Sequence, residues 1–408
     1  MPNQKPDMPS RLLEARKQRG LSQERVAEWL GVRRPAIAEI EAGKRAVKSD
    51  ELARLADLYG KSLRWLVEGE EGVEERLNAV LFRANLKEDG LVAHQVAKLA
   101  RRCRLMGELE QALGLTRHHR ISHYADDDAL TDYSDAMEHG KEVAYQERIR
   151  LGLGPAAPIR DVWGLVEDAG LHVFPLNLGQ DSELDGIFAR DSGGNACVGI
   201  NVDRWFFRQV FTVAHEYGHA LMDRDVVGEA CKTRHGWKFA GKDIYGNREL
   251  RANQFAAVFL VPREALVRYL TSREKLDRKT GAEKARALTV VDVVRAQEHF
   301  GVSTDMLLWR LQNEDLIGGF EKKRLREELN RVGVVNLTKR LGFSRRDRVQ
   351  TFERLREIAI KAYAKGAITL GVLAEVFDQS KEEAYDFITA LGITQDFAED
   401  DTLLGATG

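Results

Sequence analysis

The five residues His215-Glu216-Tyr217-Gly218-His219 constrain this chain more than any others. On a helix, side chains four apart project from one face, so both imidazoles can reach one metal ion. A carboxylate directly after the first histidine stands beside that ion, where it can take a proton from water. Val210, Phe211, Ala214 and Leu221 give the helix an apolar surface to bury, and Gly218 keeps it slim next to a neighbour. Two core or solvated histidines on an ordinary helix would produce the same string, so a third ligand is needed. ELRANQFAAVFLVP, residues 249–262, supplies a candidate in Glu249. Two histidines, one carboxylate and an open position are the ligand set of a catalytic zinc site. Asn253 falls one turn later on the same face, placed to hydrogen-bond a ligand histidine and fix its tautomer. Phe255, Ala256, Val258 and Phe259 pack this second helix on the first, and Pro262 stops it.

Hydrolysis at such a centre also calls for a donor to the tetrahedral oxyanion. His235 and Tyr245, in the polar stretch between the two helices, are the candidates, each weighed against a plain loop residue. Cys231 in the same stretch could fill the open metal position, although a free cysteine is usually inert. His118, His119, His123 and His139 cluster around a polar loop, which reads as a solvated loop before a second metal site.

A different pattern occupies LSQERVAEWLGVRRPAIAEIEAGKR, residues 21–45. Ser22 suits an N-cap; Val26, Ala27 and Leu30 recur at helical spacing; Gly31 suits a left-handed cap. Val32 plugs the turn, a second helix begins near Arg34 and Pro35, Ile37 and Ile40 face inward, and Gly43 ends it. Two short helices around a tight glycine turn are the helix-turn-helix plan, whose second helix enters the major groove of DNA. Residues 10–48 hold ten Lys/Arg against five Glu, an excess that attracts phosphate.

The whole chain of 408 residues, 43% hydrophobic and 31% charged, is long enough for two to four domains. The expected division is a polar tail (1–9), the helix-turn-helix domain (10–69), a helical linker region (70–139), the domain with the histidine motif (140–313), and a C-terminal helical module with an acidic tail (314–408). LHVFPL, LDGIFA and ACVGIN are the defensible strands, giving a mainly α chain with a small α+β unit. There is no apolar run of membrane length and no secretory apolar core at the N-terminus. Three widely spaced cysteines (Cys103, Cys197, Cys231) argue against a disulfide framework and for a reducing compartment, hence the cytoplasm. Residues 320–356 carry twelve Lys/Arg and five acids, a second nucleic-acid surface or a solvated helical face. Residues 366–392 read as two short helices around Gln379–Ser380, with Ser380 and Glu383 spaced as a capping box. No internal repeat of fixed period is visible.

Two resemblances follow. Residues 10–69 resemble the Xre/Cro-type repressor domain, through LSQxxxAxxLGVxxxxIxxIExGKR. The resemblance implies a double-stranded DNA operator, with Gln23 on backbone or base, Arg33, Arg34, Pro35, Ala36, Ala38 and Glu39 along the groove, and Lys44 and Arg45 on phosphate. Glu39 departs from the commoner neutral or basic residue; an acid there repels phosphate but can accept from a cytosine amino group. Residues 140–313 resemble the ImmA/IrrE-type zinc metallopeptidases, through GLGPAAPIRDVWGLVEDAGLHVFPL, LDGIFAR, RQVFTVAHEYGHALM and ExxANxFAAxxLVP. This implies a gluzincin fold with a short antiparallel or mixed sheet over an active-site helix pair. His215, His219 and Glu249 would be the Zn2+ ligands and Glu216 the general base. Arg251 stands where the family usually has an acid, and Tyr217 where leucine is common.

The function implied is a DNA-binding transcriptional regulator whose zinc endopeptidase domain cleaves a repressor or antitoxin-type protein in a stress or mobile-element response. The alternative is an antitoxin or autorepressor that holds a partner, such as a toxin, on a non-catalytic peptidase-like scaffold. A housekeeping endopeptidase fits the repressor domain poorly. A homodimer is the default, since repressors of this class read paired half-sites.

Overall fold

A computed structural model of the chain describes residues 7–18, 21–59, 63–68, 90–115, 121–124, 132–190, 196–223, 228–232, 244–277, 284–285, 287–343 and 353–393. Among these residues three hydrophobic cores are found, and no helix is long and apolar enough to cross a membrane.

The first core belongs to α1 (Met8–Gln18), α2 (Gln23–Leu30), α3 (Arg34–Glu41), α4 (Ser49–Tyr59) and α5 (Leu63–Glu68). Leu12, Ala15, Val26, Ala27, Leu30, Ile37 and Ile40 meet inside it. Ser22 caps α2 by accepting from the Arg25 N–H at 3.2 Å. Gly31 ends the helix at φ 70°, a backbone conformation that only glycine adopts without steric cost. Pro35 lies in the first turn of α3, where its missing N–H has no bond to lose.

The second core surrounds the histidine helix. After α6 (Gly90–Ala112), α7 (Tyr133–Arg150) and α8 (Val162–Asp168) come β1 (Leu171–Leu176), β2 (Leu184–Arg190) and β3 (Ala196–Asn201), then α9 (Phe206–Met222), β4 (Gly228–Lys232), α10 (Ile244–Leu260) and α11 (Arg263–Ser272). The sheet has the order β1-β3-β2-β4, with β1 parallel to β3 and the other pairs antiparallel. Side chains alternate across it. Val173, Phe188 and Val198 face α9, while Phe174, Ile187, Ala189 and Cys197 face the opposite way into the third core. Both faces are therefore covered, which is why the strands read as nearly continuous apolar runs. Helix α9 is buried almost all round, as expected for a helix held between a sheet and other helices.

The segments expected as linker and as C-terminal module share cores with this unit. Helices α12 (Val290–Phe300), α13 (Thr304–Asn313), α14 (Gly319–Val332) and α15 (Val334–Arg340) extend the second core through Leu307, Leu311, Leu325, Leu329 and Leu337. The outer face of the sheet is covered by α6 from one side of the sequence and by α16 (Glu353–Ala364), α17 (Leu370–Phe377) and α18 (Lys381–Ala390) from the other. The long gaps in sequence hide this, because periodicity reports which face of a helix is apolar and not what covers it.

One cysteine expectation is overturned. Cys103 on α6 and Cys197 on β3 are joined as a disulfide, with Cα atoms 6.0 Å apart. An odd count requires one unpaired cysteine, and says nothing about the other two when 94 residues separate them. The basic stretch at 320–356 lies partly on α14 and α15, where Arg324 pairs with Glu321 and Glu328 and Arg326 with Asp305. On α14, then, those cations are balanced by neighbouring acids.

Candidate metal centre and nucleic-acid interface

The metal candidates converge from two helices. His215 and His219 project from α9, and Glu249 projects from the first half of α10. The crossing is close because residue 218 is glycine. A Cβ there would lie 2.9 Å from Phe255 Cδ1 and 3.4 Å from Ala252 Cα of α10. The two Nε2 atoms are 3.1 Å apart, with Glu249 oxygens 3.5 Å from that of His215 and 3.3 Å from that of His219. Ligand atoms held at about 2.0–2.2 Å in a tetrahedral shell would stand about 3.3–3.6 Å from one another. The donor groups therefore stand near the spacing of a tetrahedral shell, and they could hold an ion. All three residues are buried. Burial lowers the pKa of His215 and so favours the neutral imidazole that a metal requires. For Glu249 burial acts to raise the pKa, but hydrogen bonds from both histidines outweigh it and hold the carboxylate well below its usual range.

Glu216 is buried on the same helix. Its carboxylate lies against β2 at Gly186, where a Cβ would stand 3.3 Å from Oε1 and 2.8 Å from Thr212 Cγ2. A side chain at 186 would thus press on the acid, so this glycine shapes the site although nothing in its sequence setting marked it. Phe211 stacks on the His215 ring with centroids 6.3 Å apart. At the start of α9, Arg204 and Arg208 both bond the buried Asp185 of β2, at 2.8 and 2.5 Å, tying strand to helix.

Behind the metal candidates the hydrogen bonding differs from the sequence expectation. His219 Nδ1 is held by Asp223 Oδ2 at 2.7 Å, and Asp223 Oδ1 accepts from Arg251 Nη2 at 2.5 Å. Arg251 is fully buried, donates also to the Met222 carbonyl at 3.2 Å, and lies 3.3 Å from His139 Nδ1. Burial alone would raise the Asp223 pKa, but His219 and Arg251 lower it, so the acid stays charged. The second-layer partner of a metal-candidate histidine is therefore Asp223 rather than Asn253, which is half-buried with no described hydrogen bond to His215 or His219. Asp223 lies four residues after His219, the spacing that puts it on the same face. Tyr217 points the other way and donates to the buried Glu147 of α7. Of the oxyanion candidates, His235 lies outside the described residues; Tyr245 belongs to α10, and its side chain lies outside them. Cys231 is on β4, in register with Gly186. Of the histidine cluster, His118 and His119 lie outside the described residues, while His123 is exposed and His139 stands beside Arg251.

The N-terminal face is solvated. Arg33, Arg34, Pro35, Glu39 and Lys44 are exposed, and Ala36 and Ala38 are half-buried. Three of the polar groups already have protein partners. Gln23 donates to Glu41 at 2.9 Å, Arg34 pairs with Glu24 at 2.5 Å, and Arg45 pairs with Glu51 at 2.6 Å. Glu41 also accepts from Arg16 at 2.6 Å, so it locks α1 to α3.

A DNA-binding domain and a metallopeptidase-type domain are thus joined in one chain. Residues 12–66 match the family described as helix-turn-helix, and residues 166–312 match the peptidase family described as IrrE N-terminal-like domain. No curated protein matches the chain.

Proposed function

We propose that the chain is a transcriptional regulator with a zinc-dependent endopeptidase domain that cuts a repressor or antitoxin-type protein in a stress or mobile-element response. The observation that carries this reading is the convergence of two buried imidazoles and a buried carboxylate, with Nε2–Nε2 and Nε2–O separations of 3.1–3.5 Å, beside the buried Glu216 carboxylate. Two imidazoles and a carboxylate suit zinc. When bound, the ion supplies Lewis acidity that polarises a peptide carbonyl and acidifies a water.

The remaining chemistry falls to the chain. Glu216 takes the proton of the attacking water and passes it to the leaving amine. Asp223, held by Arg251, fixes the Nδ1–H tautomer of His219 and leaves Nε2 as the donor. The buried surroundings keep bulk water from competing. The helix-turn-helix brings this activity to an operator, with Arg34 among the residues that reach base edges. The cytoplasm is the compartment proposed, because that is where the operator lies.

The test uses the purified full chain and candidate repressor or antitoxin-type proteins. Elemental analysis should give one zinc per chain and none in His219→Ala. Cleavage should stop on chelation and return with zinc. A chain that holds stoichiometric zinc but leaves every candidate target intact would favour the scaffold reading.

A further inference from the structure

The helices at the end of the chain repeat those at its beginning. Adding 347 to residue numbers carries α2 (Gln23–Leu30) onto α17 (Leu370–Phe377) and the first residue of α3 onto the first of α18. The same shift carries the buried Leu12 and Ala15 of α1 onto the buried Ala359 and Ala362 of α16. It also carries Val26, Ala27 and Leu30 onto the buried Leu373, Ala374 and Phe377. Ser22 and Thr369 cap the first helix at φ/ψ of −81/157° and −83/161°. Gly31 and Asp378 both end it in the left-handed region, at φ 70° and 55°. Val32 N–H donates to the Ala27 carbonyl at 3.0 Å, and Gln379 N–H to the Ala374 carbonyl at 2.9 Å. Three helices matched without a gap make residues 353–392 a second helix-turn-helix unit. The same turn occurs at Gly301, but there Met306, Leu307, Leu308 and Leu311 of the following helix are buried in the second core.

The two units differ in what they show to solvent. Where α3 has Arg33, Arg34, Pro35, Ala36, Ala38 and Glu39, α18 has Ser380, Lys381, Glu382, Glu383, Tyr385 and Asp386. Three exposed acids therefore surround exposed Tyr385, Phe387 and Leu391. A negative face repels phosphate, and aromatic and aliphatic side chains rimmed by charge mark a surface that binds protein. The turn itself is anchored: Asp378 pairs with Lys98 and Arg102 of α6 at 2.7 and 2.9 Å. An acid at this left-handed position thus serves as an attachment point that glycine could not provide.

The complementary surface is in the same sequence. Arg33, Arg34 and Lys44 are exposed on the first unit, beside exposed Trp29; Arg34 rests on the exposed Glu24, and Glu39 also lies on this face, which leaves Arg33 and Lys44 as its cations without a described acid partner. Both faces are open to solvent within one chain, so each is available to a second copy. We infer that α18 of one chain docks on the basic α2–α3 face of another, and that this acidic helix and DNA compete for the same cations. Each copy carries one of each surface, so two copies related by a two-fold axis can make the contact twice, and a dimer rather than an open chain of copies is the assembly inferred. The first unit is then masked in the absence of DNA.

The test is made on the full chain, with Glu382→Gln, Tyr385→Ala and Asp386→Asn combined; Ser380 and Glu383 are kept so that the helix stays capped. Light scattering should find a wild-type dimer at about 0.05 M salt that dissociates by about 1 M, where screening acts within about 3 Å. The triple variant should be monomeric at both salts, with an unchanged circular dichroism spectrum. A carbodiimide should cross-link an α18 carboxylate of one wild-type chain to Lys44 of another, and a short generic DNA duplex should suppress that link. A monomeric wild type, a triple variant that still dimerises, or a cross-link that survives saturating duplex would each overturn the inference. Weaker duplex binding by the triple variant would overturn it too, and would make α18 a second DNA reader.

Discussion

The chain presents two functional helix pairs built on opposite plans. In α9 and α10 the described groups aimed at the metal position are buried, and the support behind them is a charged, buried hydrogen-bonded pair. In α2 and α3 Val26, Ala27, Leu30, Ile37 and Ile40 are buried while most of the proposed DNA contacts are exposed, with Arg34 and Arg45 resting on acids of their own domain. The difference follows from what each must meet. A metal is worth most where donors are pre-set and water is excluded, whereas a DNA backbone arrives as a large wet polyanion whose binding is governed by released counterions. Disturbing the first should be costly and local, and disturbing the second mild and dependent on salt.

The sharpest way to break this contrast is at Arg251. Arg251→Met takes from the buried, charged Asp223 its hydrogen-bonded guanidinium and leaves it the more distant Arg248 at 3.6 Å, a loss of up to about 3–5 kcal/mol. Zinc affinity, measured by chelator competition, should fall about 10–100-fold as His219 loses its fixed orientation. Affinity for DNA should not change. A variant that keeps full zinc affinity would remove the Asp223–Arg251 pair from the site.

A smaller effect belongs to Arg34. Arg34→Ala should weaken operator binding by about 1–3 kcal/mol if the side chain pairs with guanine, without moving zinc content. Full affinity in that variant would take Arg34 out of the groove. Smaller still is the comparison of two adjacent cations. Lys44 is exposed while Arg45 is tied to Glu51. Lys44→Ala should reduce the logarithmic salt dependence of DNA binding by about one, and Arg45→Ala should leave that slope unchanged. Equal changes in slope would mean that Arg45 leaves Glu51 to reach phosphate.

How much of this was readable in the sequence depended on whether a residue's role lies in local spacing. His215, His219 and the capped turn at Ser22–Gly31 are set by neighbours within a few positions, and the structure places them accordingly. Arg251 looked like a departure from a family pattern. Its meaning appeared only when the fold brought it to Asp223, 28 residues away. Asp223 itself had the right spacing from His219 and could have been found by looking one turn past the motif. Gly186 needed the strand-to-helix distance. The Cys103–Cys197 bond needed the knowledge that α6 covers the sheet. The repeat of the helix-turn-helix was hidden because the two copies keep small and capping residues in common while their surfaces carry opposite charge.

The central claim is that the buried acid of the histidine helix does chemistry rather than merely fill space, and Glu216→Gln tests it most directly. The amide has nearly the shape of the carboxylate, and Glu216 is not among the three groups proposed to hold the metal. Zinc content, circular dichroism and DNA affinity should therefore match the wild type. Proteolysis of the target should drop by at least about a hundredfold, the scale expected when a general base is lost. Cleavage at the wild-type rate by a folded, zinc-loaded Glu216→Gln protein would contradict the account.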